Sequence, residues 1–211
     1  MEIIAHRGFW NKPDEKNSIK SFNKALSFGF GIETDIRDLN GEIIISHDPP
    51  HKNSDFYTFS SFLELYKKYN SNNTLALNIK SDGLAPNLKN ILDKYQIKDY
   101  FFFDMSVPDY FSYRDLNLTT FCRSSEFENA ELLRKNSEGV WIDAFSIKNF
   151  NSISFKKIFS DWDSIAFVSP ELHKYEFLEF WERLKKTSQS IPNKKVFLCT
   201  DYPNQANEFF N

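Results

Sequence analysis

The sequence predicts an α/β fold of eight strand–helix units, a (β/α)8 TIM barrel, and three observations support this prediction. Eight short runs rich in apolar and aromatic residues recur along the 211-residue chain, and polar segments with helical spacing lie between them. The runs are almost continuously apolar, as in parallel strands that are covered on both faces. No Gly- or Ser-rich linker or shift in composition divides the chain, so residues 1–211 are predicted to form a single domain.

The predicted elements follow one another in chain order. The strands are IIAHR (3–7), GIETDI (31–36), TLALNIK (74–80), YFFFDM (100–105), TTFCRS (119–124), GVWIDA (139–144), SIAFVS (164–169) and VFLCTD (196–201). Helical spacing predicts helices at 19–26, 59–69, 87–95, 126–135, 153–160 and 171–186, with a poorly marked one near 107–115. Asn17 and Ser18 are candidate caps of the first helix. Asn40-Gly41 predicts a β-hairpin extension after the second strand.

Composition excludes several classes of protein. The net charge is −3 and no long basic run occurs, so the electrostatic footprint of a nucleic-acid-binding protein is missing. No run approaches the roughly 18 apolar residues of a membrane helix. Glu2 stands where a signal peptide would be basic, so we expect a cytoplasmic protein. The 23 Phe residues predict a Phe-rich core, and Cys122 and Cys199 are predicted to be buried, reduced thiols rather than a disulfide.

Polar residues end seven of the eight predicted strands. They are His6-Arg7, Glu33 and Asp35, Lys80, Asp104, Arg123, Asp143 and Asp201. In a barrel of this class the carboxyl ends of the strands form the rim of the active site. Charged residues also mark solvated strand ends, but seven tips of both signs favour a site.

Glu33 and Asp35 are two residues apart on one strand, so their carboxylates face the same way. Such a pair is costly unless a proton or a cation lies between the two groups. One hard divalent cation, Mg²⁺ or Ca²⁺, suits oxygen ligands of this kind. A surface ion pair with Arg7, Arg37 or Lys80 is the alternative.

The position of His47 depends on the length of the hairpin loop. A two-residue loop places His47 opposite Thr34, whereas a three-residue loop with a left-handed Gly41 places it opposite Glu33. We expect the second register because it gathers the polar groups on one face. His6 and His47 would then supply an acid and a base near neutral pH, with metal ligation as the alternative role.

Several short motifs resemble the glycerophosphodiester phosphodiesterase family, whose barrel fold is related to that of phosphatidylinositol-specific phospholipase C. These motifs are HRG (6–8), EKNS (15–18), ETD (33–35), NG (40–41), HD (47–48) and, more weakly, TDYP (200–203). Their order and spacing agree with the family pattern over about the first fifty residues.

The resemblance implies roles for individual residues. His6 and His47 would be the catalytic acid–base pair, Glu33 and Asp35 metal ligands, and Arg7 a contact to the phosphate, with Lys80 available as a second one. Arg123, one of the polar strand tips, is a further candidate contact to the substrate. The sequence departs from the family's Glu-x-Lys at LNIK, where Asn78 replaces the Glu. An amide oxygen ligates hard cations but carries no charge, so metal affinity should fall, or another rim acid such as Asp143 substitutes.

The predicted function is therefore that of a metal-dependent phosphodiesterase acting on a small polar diester. The resemblance implies that an internal hydroxyl attacks first and gives a cyclic phosphate. One alternative is an enzyme for surface-polysaccharide or lipid head-group phosphates, with the loop at 51–58 and its Phe56 and Tyr57 against sugar or glycerol. Another is a degenerate barrel that binds a phosphorylated ligand without turnover, which Asn78 favours and the two histidines oppose.

Overall fold

The structure is a computed structural model that describes residues 1–51, 56–69 and 72–211. The chain forms two compact units, one of residues Ala5–Thr120 and the other of Met1–Ile4 with Phe121–Asn211. Strand β1 (Glu2–His6) contributes residues to both units. Within the described ranges, no helix combines the length and the apolar character that crossing a membrane requires.

The unit of residues 5–120 holds the sheet that carries most of the predicted site. Its further strands are β2 (Gly31–Leu39), β3 (Glu42–Ile45), β4 (Tyr57–Thr58), β5 (Leu75–Ile79) and β6 (Tyr100–Phe103). Strands β2, β5 and β6 are parallel, and β3 and β4 continue the sheet antiparallel from β2. The helices are α1 (Ile19–Ser27), α2 (Phe59–Lys68), α3 (Ala85–Tyr95) and α4 (Val107–Asp115).

The other unit contains four further strands, which are parallel to one another. Its strands are β7 (Phe121–Ser124), β8 (Gly139–Ile142), β9 (Ser164–Val168) and β10 (Lys195–Thr200), which pair in that order. Its helices are α5 (Ile147–Ser152), α6 (Phe155–Asp161), α7 (Leu178–Ser190) and α8 (Pro203–Phe210). Each of the eight predicted runs therefore contains a strand, in the predicted order.

Two of the predicted helices are wrong in part. Residues 126–135 contain a 3₁₀ turn at Ala130–Leu132 and the start of a second at Arg134–Asn136, because the Asn129 side chain accepts a hydrogen bond from Glu131 N and begins a short turn instead. The helix expected from residue 171 begins at Leu178. A 3₁₀ turn, Pro170–His173, precedes it and ends at Lys174 in the left-handed conformation.

The expected hairpin register is also wrong. Strand β2 pairs with β3 so that Arg37 lies opposite Ile44 and Leu39 opposite Glu42, which leaves a two-residue loop. Asn40 and Gly41 both have positive φ, 52° and 86°, as a type I′ turn requires. Such a turn matches the twist of the two strands, so no bulge is needed. The ladder ends at Ile45, and His47 lies beyond it in a bend.

The core is rich in Phe, as the composition predicts. In the unit of residues 5–120, Phe22 packs on Phe62 with ring centroids 4.7 Å apart, and in the other unit Phe155 packs on Phe180 at 5.2 Å. Cys122 and Cys199 are buried, reduced thiols. Ser18, rather than Asn17, caps α1, in a capping box with Ser21.

Candidate active site

The end of β1 makes a tight turn that brings His6 and Arg7 to the carboxylates of β2. Arg7 and Gly8 both have left-handed backbones, with φ of 56° and 86°. A Cβ at Gly8 would lie 2.8 Å from the backbone of Ser21, so only glycine fits here. Arg7 N donates to Glu33 O at 2.9 Å and to Glu33 Oε2 at 3.2 Å. The HRG motif is therefore a turn that fixes two polar side chains beside β2.

Asp35 lies at the centre of the cluster and is completely buried. Its Oδ2 is 2.9 Å from Arg7 Nε and accepts a hydrogen bond from Asn17 Nδ2 at 2.8 Å. Its Oδ1 is 3.5 Å from Lys80 Nζ. Two cationic side chains and one amide thus compensate the charge of this carboxylate.

Glu33 shares the face of Asp35 and is 2% exposed. Burial, reinforced by the carboxylate of Asp35, raises the pKa of Glu33 to about 8, against the opposing effects of Arg7 and Lys80. His6 Nε2 lies 3.9 Å from Glu33 Oε2. The raised pKa of Glu33 favours its neutral form, which reduces the repulsion between the two neighbouring carboxyl groups.

Strand β5 adds Asn78 and Lys80 to the cluster. Asn78 lies opposite Asp35 in the parallel ladder and donates a side-chain hydrogen bond to Glu33. Lys80 follows the strand, and its backbone N donates to Ile36 O at 2.9 Å. The structure thus brings together six predicted site residues: His6, Arg7, Glu33, Asp35, Asn78 and Lys80.

His47 takes a different position from the one expected. Its side chain is 47% exposed, and its Nδ1 lies 2.8 Å from Asp48 Oδ1. That hydrogen bond lowers the pKa of Asp48, and the charge of Arg7 lowers it further. The charge of Arg7 therefore acts on Asp48. His47 itself lies outside the β2–β3 ladder and is not placed on the face that bears Glu33 and Asp35.

Arg123, the remaining predicted substrate contact, belongs to the other unit. Its Nε lies 2.5 Å from Glu128 Oε2, and its guanidinium is 5.8 Å from the centroid of Phe145. Asp143, the acid considered as a substitute ligand, lies in the same unit and holds Nε2 of His173 at 2.8 Å. Because its carboxylate is in contact with His173, we do not propose Asp143 as a metal ligand.

Two further residues belong to the cluster. The sequence predicts Asn17 as a helix cap, but its side chain bridges Asp35 and Thr34, accepting from Thr34 Oγ1 at 2.9 Å. The EKNS motif was the signal for it. Asp104, one of the polar strand tips, places its Oδ2 4.0 Å from Lys80 Nζ.

The donors of the cluster suit a hard divalent cation in chemical type. In the described part of the chain, no three His, Cys, Asp or Glu side chains are arranged to hold a metal ion together. However, Asp35 Oδ1 and Asn78 Oδ1 are both buried and have no hydrogen-bond partner among the described residues. With the Glu33 carboxylate they offer three oxygens, and buried acceptors of this kind are normally satisfied.

Comparison with solved structures assigns the fold. A candidate glycerophosphodiester phosphodiesterase from Galdieria sulphuraria matches with a TM-score of 0.79 and 15% identity, over 99% of this chain and 97% of that one. An Oleispira antarctica phosphodiesterase, solved with the product sn-glycerol-3-phosphate, matches with a TM-score of 0.73 and 16% identity over 99% and 96%. A Ca²⁺-dependent phosphatidylinositol-specific phospholipase C from Streptomyces antibioticus matches at 0.61 and 11% over 100% and 96%.

These likenesses define the class of fold: the chain is an α/β protein with the (β/α)8 TIM-barrel fold. The proteins that share it include the glycerophosphodiester phosphodiesterases, the family that the sequence motifs resemble. No protein-family model and no curated protein matches the sequence. Because the same fold supports many chemistries, function must be argued from the site.

Proposed function

We propose that the protein is a metal-dependent phosphodiesterase that hydrolyses a small polar, glycerophosphodiester-like diester. One observation carries the proposal: a buried pair of carboxylates on β2 is in contact with the cations Arg7 and Lys80 and lies beside His6. This combination suits a reaction in which negative charge develops on phosphoryl oxygens next to a proton donor or acceptor.

Arg7 and Lys80 bind the phosphoryl oxygens in this proposal. Both side chains are partly exposed, 21% and 19%, while the carboxylate between them is buried, so each cation has a side open to a ligand. Glu33, Asp35 and Asn78 hold one divalent cation, Mg²⁺ or Ca²⁺. When bound, that cation supplies Lewis-acid polarisation of a phosphoryl oxygen. The Ca²⁺ dependence of the Streptomyces phospholipase C supports this choice by analogy.

His6 and His47 transfer the protons. One imidazole removes the proton of a hydroxyl adjacent to the phosphate, and that oxygen forms a bond to phosphorus. The bond to the leaving alkoxide breaks, and the other imidazole protonates it. A cyclic phosphate results, which water opens in a second step with the two proton roles exchanged. The role of His47 in this proposal comes from the sequence motif, and its contact with Asp48 through Nδ1 leaves Nε2 available for the transfer.

The remaining assignments are also proposals. The product-bound Oleispira phosphodiesterase supports a small phosphodiester as substrate. A substrate contact of Arg123 stays a prediction from the sequence. Cytoplasmic location stays a prediction from the sequence. The alternative substrates, surface-polysaccharide or lipid head-group phosphates, would contact the loop at 51–58. Residues 52–55 of that loop lie outside the described residues.

The degenerate, binding-only barrel is the second candidate, and one observation favours it. Asn78 is uncharged, whereas the family pattern has a Glu at this position. Burial raises the pKa of Glu33, which favours its neutral form and further lowers the negative charge of the cation site. A weakly held cation would leave phosphate binding by Arg7 and Lys80 intact while slowing turnover.

An assay of diester hydrolysis with and without metal separates these candidates. We expect a chromogenic phosphodiester to be hydrolysed with Mg²⁺, Ca²⁺ or Mn²⁺, and the activity to disappear in excess chelator and return when metal is added. Binding of glycerol phosphate without turnover under any of these conditions would favour the degenerate barrel. Full activity in chelator would remove the metal from the proposal.

A further inference from the structure

The ammonium group of Lys80 is shared between two carboxylates. Its Nζ is 3.5 Å from Asp35 Oδ1 and 4.0 Å from Asp104 Oδ2. Both distances exceed the roughly 2.8 Å of a charge-assisted hydrogen bond, so the ammonium is not tightly bonded to either group. Asp35 Oδ1, correspondingly, is buried and accepts no hydrogen bond from any described residue.

The backbone of Asp104 turns its side chain toward Lys80. Asp104 directly follows β6 and has a left-handed backbone with φ of 67°, a conformation that few residues other than Gly, Asn and Asp adopt. Its side chain is only 13% exposed and lies beside Lys80. An unusual backbone conformation that places a charged group beside a candidate site is a reason to look for a role in that site.

The role follows from competition for Asp35. A Lys80 ammonium that paired closely with Asp35 Oδ1 would occupy the oxygen that a divalent cation needs. It would also be less able to reach a phosphoryl oxygen. Asn78, opposite Asp35, adds no charge to attract the cation, so the competition has more effect here than in a site with a third carboxylate.

We propose that Asp104 is a positioning residue that draws the Lys80 ammonium away from Asp35, so that Asp35 is left for the cation and Lys80 for phosphate. This inference rests on the proposed function. It predicts that the effect of Asp104 on cation binding passes through Lys80, whereas a carboxylate that bound the cation directly would act whether Lys80 was present or not.

A double-mutant cycle tests this dependence by calorimetric titration of Mg²⁺ and of Ca²⁺ into the metal-free protein. Asp104→Asn should weaken cation binding by about tenfold. This is the order of the attraction between the Lys80 ammonium and the Asp104 carboxylate, 4.0 Å apart, in a largely screened site. Lys80→Met should strengthen binding, and Asp104→Asn should have little further effect in the Lys80→Met protein. Asp82→Asn is the matched control, because Asp82 is exposed two residues beyond Lys80 and bonded to Ser106.

Equal losses from Asp104→Asn with and without Lys80 would overturn the proposal, as would no loss at all or a wild type that binds neither ion. Thermal melts of all five proteins establish that the variants are folded. Diester hydrolysis is measured separately. If the binding cycle comes out as expected but no diester is hydrolysed, the proposed function is wrong and the role of Asp104 in cation binding remains. If diesters are hydrolysed but the cycle fails, the proposed function remains and the role of Asp104 is wrong.

Discussion

Arg7 shows how one residue organises the candidate site. Its backbone N–H is bonded to Glu33, and its guanidinium lies against Asp35, so one left-handed residue contacts both carboxylates. Asn17 supports the same carboxylate from the start of the segment that leads into α1. At the residue scale, the site is therefore a buried charge cluster whose members hold one another in place.

The two histidines carry the acid–base proposal. We expect His6→Ala and His47→Ala each to lower kcat by about 10²–10⁴, the usual effect of losing general acid–base catalysis, without unfolding the protein. Steady-state kinetics on a phosphodiester and a thermal melt measure the two effects. His51→Ala is the matched control, an exposed histidine close in sequence to His47. Near-wild-type rates for both mutants would show that the assignment is wrong.

Glu33 gives the folded protein a pH dependence. Its pKa is raised from 4.5 to about 8, chiefly by burial, so the folded state holds the proton more tightly than the unfolded state does. The contribution of Glu33 to stability is then fully present below pH 4.5 and is lost as pH rises through about 8. We expect Glu33→Gln, unfolded by denaturant in chelator, to lose less stability than wild type between pH 6 and 9. Parallel curves for the two proteins would contradict this origin.

At the scale of elements, the sequence predicts the strands, which depend on local residue preferences. It does not predict features that depend on contacts between distant parts of the chain. All eight runs contain strands, because apolar β-branched and aromatic residues favour buried strands strongly. The predicted register of the hairpin is wrong because Asn40 and Gly41 both adopt positive φ and close a two-residue turn, which moves the pairing by one position. His47 reaches its place through a bend, which strand alternation does not describe.

The site could likewise be predicted only in part. Motifs and spacing identified the six residues that the structure brings together, because each lies at a strand end or on one strand face. The contact of Asn17 with Asp35 joins positions 18 residues apart, so helix-capping preference does not indicate it, and the EKNS motif is the one signal for Asn17 that the sequence carries. The link between Lys80 and Asp104 depends on the left-handed backbone at Asp104, which the sequence does not signal.

Close packing between β7 and β8 gives a test at this scale. Gly139 lies opposite Phe121, and a Cβ there would be 2.4 Å from the Phe121 ring. We expect Gly139→Ala to lower the free energy of unfolding by about 1–3 kcal/mol, as overpacking in a core does. Denaturant titration measures it. Phe121→Leu makes room, so the double mutant should be more stable than the sum of the single effects implies, and strict additivity would contradict the clash.

On the scale of the whole molecule, solved structures assign the fold, whereas the proposed chemistry rests on the site. The fold is shared with phosphodiesterases over nearly the full chain, while the buried charges belong to this sequence. That residues 1–211 form one domain stays a prediction.

Phosphorus NMR of the reaction tests the central claim most directly. With Mg²⁺ or Ca²⁺ present, a glycerophosphodiester should give a transient cyclic phosphate and then glycerol phosphate. A deoxy analogue that lacks only the hydroxyl next to the phosphoester should bind almost as well and react far more slowly, because an intramolecular nucleophile has an effective molarity on the order of 10⁵ M. Equal rates for substrate and analogue, with no cyclic species, would contradict internal attack, and no reaction of either would contradict the phosphodiesterase.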